Sequence, residues 1–223
     1  MDFTYSTVPP RIYKFKLMAI NWHKYNDNTT VLCPFILVMN GKKYTFDELF
    51  KILKIKYKFN PNYIMYDFRI SQIKAVQNNF PRCNKHCCFF HYSKALWKQF
   101  MKYGIGGKNA YLNNSELLFN LQLLCFIDIE NIGYFYKKIV KTYKENKYKK
   151  FFNYFKKTWL VKTIHKKLWN FSDLLDDEKN FDQFSFTNNV SEDIIRYLNR
   201  NLKRARCSSI VFRRNYFGYN FTI

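Results

Sequence analysis

The 223 residues carry 38 Lys and Arg against 16 Asp and Glu, a net charge of +22, and 48% of the side chains are hydrophobic. That apolar content can fill one packed domain, or one core with a large insertion, and it excludes a disordered chain. The longest apolar run, Val31 to Met39, is about half of what a bilayer crossing needs, and no basic stretch with an apolar signal core opens the sequence. The expectation is a soluble protein that is not secreted and has no membrane partner.

Six cysteines (Cys33, Cys83, Cys87, Cys88, Cys125, Cys207) lie scattered, two of them adjacent, which fits reduced thiols rather than a disulfide framework. A strongly positive field gathers polyanions, nucleic acid first and anionic membrane second. Abundant Lys, Asn, Tyr, Phe and Ile are also what an AT-rich coding sequence writes, so charge leaves the decision to the motifs.

Phe3 to Val8 alternates apolar and polar residues, and Arg11 to Ile20 repeats the pattern, which predicts two strands joined at Pro9-Pro10. Val31 to Met39 predicts a third, buried strand in which Pro34 demands a bulge or an edge position. Thr45-Phe46-Asp47-Glu48 reads as a capping box with a Tyr44–Leu49 staple, opening a helix to about Lys56 that buries Leu49, Phe50, Ile52 and Leu53. Asn60-Pro61-Asn62 then breaks the chain before a short strand, Tyr63 to Tyr66, that delivers Asp67 at its C-terminal end. A helix from Ser71 to Asn79, a strand from Cys87 to His91, and a helix from Ser93 to Tyr103 with Leu96, Trp97 and Phe100 inward and Gly104 as its stop complete the series.

The predicted order is therefore β-β-β-α-β-α-β-α, an α/β arrangement shared with the ribonuclease-H-like fold. From Tyr111 to about Asn170 the periodicity is helical, with Leu117, Leu121 and Leu124, then Phe135, Ile139 and Tyr143, then Phe151, Phe155 and Trp159 recurring. This reads as an all-α insertion ahead of the last core helix. Between Lys137 and Lys167 it holds twelve lysines and the single acid Glu145, a phosphate-facing surface or an ordinary solvated helix face. An acidic loop is expected over Asp173 to Asp182. A final helix begins near Ser191-Glu192 and carries Arg196, Arg200, Lys203 and Arg204. The divisions that follow are 1–105 for the N-terminal part of the core, 106–180 for the helical insertion, and 181–223 for the C-terminal core helix and basic tail.

Several strings resemble one family, the Mutator-like (MULE) transposase domain of the DDE superfamily. Asp2-Phe3-Thr4-Tyr5-Ser6-Thr7-Val8-Pro9 is similar to its opening segment. Tyr66-Asp67-Phe68-Arg69, followed by Ala75-Val76 and Phe80-Pro81, resembles the setting of its second aspartate. Phe3 and Arg69 stand where the family has glycine and glutamate. Cys88-Phe89-Phe90-His91 resembles its Cys-x-x-His element, and Tyr154 to Trp159, Leu168-Trp169-Asn170 and Thr187-Asn188-Asn189-x-x-Glu192 follow in the family's order.

The resemblance implies that Asp2, Asp67 and Glu192 are the catalytic carboxylates and the ligands of Mg²⁺ or Mn²⁺, supported by Cys88, His91, Asn188 and Asn189. It implies metal-dependent cleavage and transfer of DNA strands. Lys149, Lys150, Lys156, Lys157, Arg196, Arg200, Lys203 and Arg204 are the candidate DNA-binding cations, and a nuclear location, or an intracellular one outside eukaryotes, goes with them. A zinc site drawn from Cys83, His86, Cys87, Cys88 and His91 is disfavoured, because adjacent cysteines suit it poorly and no second ligand pair follows. The chain starts one residue before Asp2 and shows no recognition module ahead of it. The reading is therefore of a truncated domain, with a non-catalytic DNA-binding or scaffold remnant as the alternative and self-association left open.

Overall fold

A computed structural model describes residues 2–4, 16–19, 21–24, 29–32, 36–38, 42–105, 110–161 and 164–175, with backbone alone before residue 42 and over 110–113. These residues form a mixed α/β structure that is mostly helical. They divide into two compact units. Met1–Asn62 and Arg69–Cys83 fall in the first, Tyr63–Phe68 and the described residues from Asn84 onward in the second.

In the first unit, β1 (Asp2–Thr4), β2 (Lys16–Ala19) and β5 (Ile36–Val38) make an antiparallel sheet in the order β1-β2-β5, and β3 (Asn21–Lys24) pairs with β4 (Thr29–Leu32). β1 and β2 pair in the register Asp2↔Ala19 to Thr4↔Leu17, and the Pro9-Pro10 junction expected between them lies outside the described residues. β2 falls inside the second expected strand, Arg11 to Ile20, β3 lies beyond it, and the described parts of the third, Val31 to Met39, belong to β4 and β5. Met18 pairs with Ile36 and Asn21 with Leu32, three steps along one strand against four along the other. Pro34, where a bulge or edge position is expected, lies outside the described residues.

Helix α1 (Lys43–Lys56) starts earlier than the capping box implies: its N-cap is Lys42, without a side-chain cap. Thr45 is thus inside the helix, and Asp47 and Glu48 are taken by Lys43 at 2.6 Å and Lys51 at 2.8 Å. The predicted staple does not form, since Tyr44 is exposed, and Ile52 is exposed as well. Phe46 and Phe50 are the fully buried pair instead. They face α2 (Ile70–Asn79), whose buried side is Gln72, Ile73, Ala75 and Val76. Phe50 and Phe59 both meet Phe80 edge-on, at 5.5 and 5.7 Å. The Asn79 amide donates to Asp47 Oδ1 at 2.9 Å, and Lys54 Nζ donates to the Asn79 carbonyl at the C-terminal end of α2.

In the second unit, β6 (Tyr63–Tyr66) and β7 (Asn84–Cys87) pair in parallel, Tyr63 opposite Asn84 and Tyr66 opposite Cys87. A parallel pair requires a crossover, and α2 is the helix in that connection. The expected strand at Cys87–His91 is corrected: β7 ends at Cys87, Cys88 caps, and α3 (Phe89–Lys102) already contains His91. Leu96 and Phe100 point inward as expected, joined by Tyr92, whereas Trp97 is half-buried. Gly104 adopts φ +68° and closes α3, its N–H donating to Met101 and the N–H of buried Ile105 to Phe100. This is the left-handed closure that glycine enters without strain.

Helices α4 (Ala110–Leu123), α5 (Ile132–Thr142), α6 (Lys149–Phe155) and α7 (Ser172–Leu175) follow, with short 3₁₀ turns and a π-helical stretch at Lys156–Val161. Leu117, Leu121, Leu124, Phe151, Phe155 and Trp159 are buried, as their spacing predicts. The α5 face is corrected. Ile132 and Tyr136 are buried, while Phe135 is exposed beside Tyr134 and both rings receive Lys138. Ser172–Leu175 is helical, where a loop is expected from Asp173; the rest of that acidic stretch lies outside the described residues.

Candidate functional site

β6 alternates half-buried Tyr63 and Met65 with buried Ile64 and Tyr66, then releases Asp67 at its C-terminal end. Ligand chemistry concentrates at the carboxyl ends of parallel strands, because the helices that follow them present their N-termini there. The neighbouring strand ends at Cys87 and turns directly into α3. Cys88, extended at φ −61° and ψ 127°, leaves the ladder by donating its N–H to the Tyr66 carbonyl at 3.0 Å. The Cys87 thiol reaches the Asp67 carbonyl at 3.9 Å.

The Cys-x-x-His spacing acquires a geometric reason from this. With Cys88 at the cap, the third helical residue, His91, swings back over the strand ends. Its Nδ1 lies 3.3 Å from Asp67 Oδ1, with side chains 24% and 15% exposed, so the carboxylate is mostly withdrawn from water and meets a chargeable partner. The two atoms are close but not aligned as a hydrogen bond. Both cysteines are fully buried, and burial pushes the Cys87 thiol well up, helped by the Asp67 and Cys88 charges. They are packing residues, not nucleophiles.

Beneath the pair is an aromatic core built from the later strings of the sequence. Phe68 meets Trp159 edge-on at 4.9 Å, and Tyr92 meets Trp159 edge-on at 4.9 Å and stacks on Trp169 at 5.2 Å. Trp169 Nε1 donates to the Trp159 carbonyl, and Tyr92 donates to the Leu121 carbonyl at 2.7 Å. Asn170 donates to Ile127, and its side-chain oxygen accepts from Ser172. Thus Trp159, Trp169 and Asn170 support the Asp67–His91 region through packing.

His86, one residue before the cysteine pair, was nominated in the sequence only as a zinc ligand. It is buried between Tyr63 and Phe171, both rings nearly parallel to it at 5.5 and 5.4 Å. Nδ1 donates to the Asn170 carbonyl at 3.1 Å, and Nε2 faces exposed Asp173 at 3.6 Å. Burial lowers its pKa below the usual value of 6.5, against the opposing pull of Asp173. No three His, Cys, Asp or Glu side chains cluster as metal ligands among the described residues.

Of the sequence-nominated residues, Asp67, Cys88 and His91 are brought together. Asp2 begins β1 in the first unit, where backbone alone is described. Glu192, Asn188, Asn189, Arg196, Arg200, Lys203 and Arg204 lie outside the described residues. Lys149, Lys150, Lys156 and Lys157 are all exposed on α6 and the turn that continues it. No described helix is long and apolar enough to cross a membrane.

The parallel strand pair thus ends in a largely buried carboxylate with a histidine from the next helix against it. Residues 1–95 match the family model of the MULE transposase domain. The matched span includes Asp2, Asp67, Cys88 and His91. It ends before the strings around Trp159, Trp169 and Glu192. No curated protein and no solved structure matches the chain.

Proposed function

We propose that the chain is a Mutator-like transposase catalytic domain with a ribonuclease-H-like core, acting on DNA phosphodiesters. The observation that carries this reading is the approach of Asp67 and His91 at the strand ends, inside the span that matches the MULE domain. The antiparallel trio β1-β2-β5 and the parallel pair β6-β7 are compatible with that reading, each taken by itself.

Asp67 fits a divalent-cation site in its chemistry. Its carboxylate offers hard oxygen donors, is withdrawn from bulk water, and stands at the end of a rigid strand. Asp2 and Glu192 would complete the ligand set with it. Bound Mg²⁺ or Mn²⁺ would supply the means to activate a nucleophile and to stabilise a leaving oxygen at phosphorus. His91 acts as a positioning residue, its Nδ1 set 3.3 Å from the Asp67 carboxylate, while buried Cys87 and Cys88 anchor the backbone beside them.

The test is Mn²⁺ binding followed by electron paramagnetic resonance, comparing the protein with Asp67→Asn and Glu192→Gln. Binding that weakens at least tenfold in each variant supports the reading. Equal binding in all three, with DNA affinity intact, would leave the non-catalytic DNA-binding remnant, which the exposed lysines of α5 and α6 independently favour.

A further inference from the structure

Helices α5 and α6 enclose a groove of about 510 Å³. Lys137, Lys141 and Lys144 line one side and Lys149 and Lys156 the other, with Asn153 between the last two. Lys137 and Lys141 lie one turn apart on one face of α5, with Lys144 two residues past its end, while Lys149, Asn153 and Lys156 follow at i, i+4, i+7 along α6 and its continuation. Of the candidate DNA-binding lysines, Lys149 and Lys156 line the groove and Lys150 and Lys157 do not.

The floor is rigid. Tyr136 donates to the Phe152 carbonyl at 2.8 Å and stacks on Phe155 at 5.2 Å, tying the two helices together. The neighbouring lysines have other partners: Lys138 lies over Tyr134 at 4.7 Å, and Lys147 pairs with Glu145 at 2.8 Å. Glu145 is the one acid lining the groove, and Lys147 from outside already partners it. Glu116 of α4 touches Tyr143 and is the other carboxylate close by. Five cations converge here with no ion pair among the described residues. In the Lys137–Lys156 region the like charges are held side by side without a compensating anion, an arrangement that costs stability unless an anion lies between them.

We propose that this groove binds the phosphate backbone of DNA, as a second contact surface separate from the carboxylate site. Two facing sets of lysine point charges suit the closely spaced negative charges of a nucleic-acid backbone, and the tyrosine and phenylalanine floor is too buried for bases to intercalate. Recognition is therefore electrostatic and independent of sequence. It rests on DNA being the ligand, not on catalysis.

The experiment measures binding of a labelled DNA 20-mer, single-stranded and duplex, across a salt series in EDTA, so that no cleavage or metal binding contributes. The variant Lys137→Gln/Lys141→Gln/Lys149→Gln is compared with Lys98→Gln/Lys102→Gln/Lys138→Gln, which removes equal charge outside the groove. The groove variant should flatten the slope of log K against log salt by about 2 to 3, roughly 0.9 for each lost phosphate contact on duplex and 0.7 on single strand, and the control by less than about 1. Asp67→Asn should bind like the parent, which separates this surface from the catalytic reading. Equal slopes for the two triple variants, with matching circular-dichroism melts, would overturn the groove. So would loss of binding to phosphatidylserine vesicles in the groove variant with DNA affinity unchanged, which would assign the lysines to lipid headgroups.

Discussion

Replacing Tyr92 tests whether α3 and the helical module share one core. Its hydroxyl donates to the Leu121 carbonyl at 2.7 Å, and its ring, fully buried, packs on Trp159 and Trp169. Tyr92→Phe keeps the ring and strips a buried carbonyl of a donor, a loss of about 1 to 3 kcal/mol. Tyr92→Ala also opens a cavity and removes the ring contacts with Phe89, Trp159 and Trp169, raising the loss to about 3 to 5 kcal/mol. Urea unfolding followed by tryptophan fluorescence reads this directly, since two of the four tryptophans touch the altered side chain. For a chain of this length, 1 kcal/mol is also about 2 to 4 °C in Tm. A Tyr92→Phe variant within about 0.3 kcal/mol of the parent, or a Tyr92→Ala variant losing less than about 1 kcal/mol, would refute the shared core.

Three further outcomes are expected. Because burial holds His86 below its usual 6.5, the unfolded chain takes up that proton first as pH falls; stability is full above about 6.5 and is lost below it until the folded His86 also protonates. In urea titrations His86→Gln should lose part of that dependence between pH 7 and 5, and an unchanged profile would contradict the buried placement. Cys83, Cys87, Cys88 and Cys125 are buried, with burial pushing the Cys87 and Cys125 thiols upward, so iodoacetamide should leave these four unlabelled in the native protein and label them in urea, read site by site by mass spectrometry. Gly104→Ala forces an L side chain to φ +68° and should cost about 1 to 2 kcal/mol although its Cβ would meet no atom, whereas Lys58→Gly at φ +53° should gain up to about 1 kcal/mol; equal stabilities would remove the strain argument.

Much of the fold was legible where local chemistry leaves one choice. Asn60-Pro61-Asn62 isolates β6, Phe80-Pro81 ends α2, and Gly104 closes α3, each through backbone constraints that tertiary contacts rarely override. The misread boundaries share a different cause. At α1 the Lys43–Asp47 ion pair extends the helix back past Thr45, so the capping-box residues become interior ones. At β7 the extended cap at Cys88 moves His91 from strand to helix, and this shift is what aims it at Asp67. On α5, Tyr134, Phe135 and Tyr136 are consecutive, so periodicity alone offers more than one apolar face. The buried one is chosen by the Tyr136 hydroxyl finding the Phe152 carbonyl. The site was legible for Asp67 and His91 as residues, but their contact depends on that boundary. The lysine groove was hidden because its two rows belong to different helices, and only their packing puts Lys137 and Lys141 opposite Lys149.

The most direct test of the transposase reading is nicking of supercoiled plasmid by the purified protein in Mg²⁺ or Mn²⁺, beside the Asp67→Ala/Glu192→Ala double variant. Nicking by the parent that disappears in the double variant is the predicted result. No nicking by the parent, or equal nicking by both, would contradict a working carboxylate site in this chain.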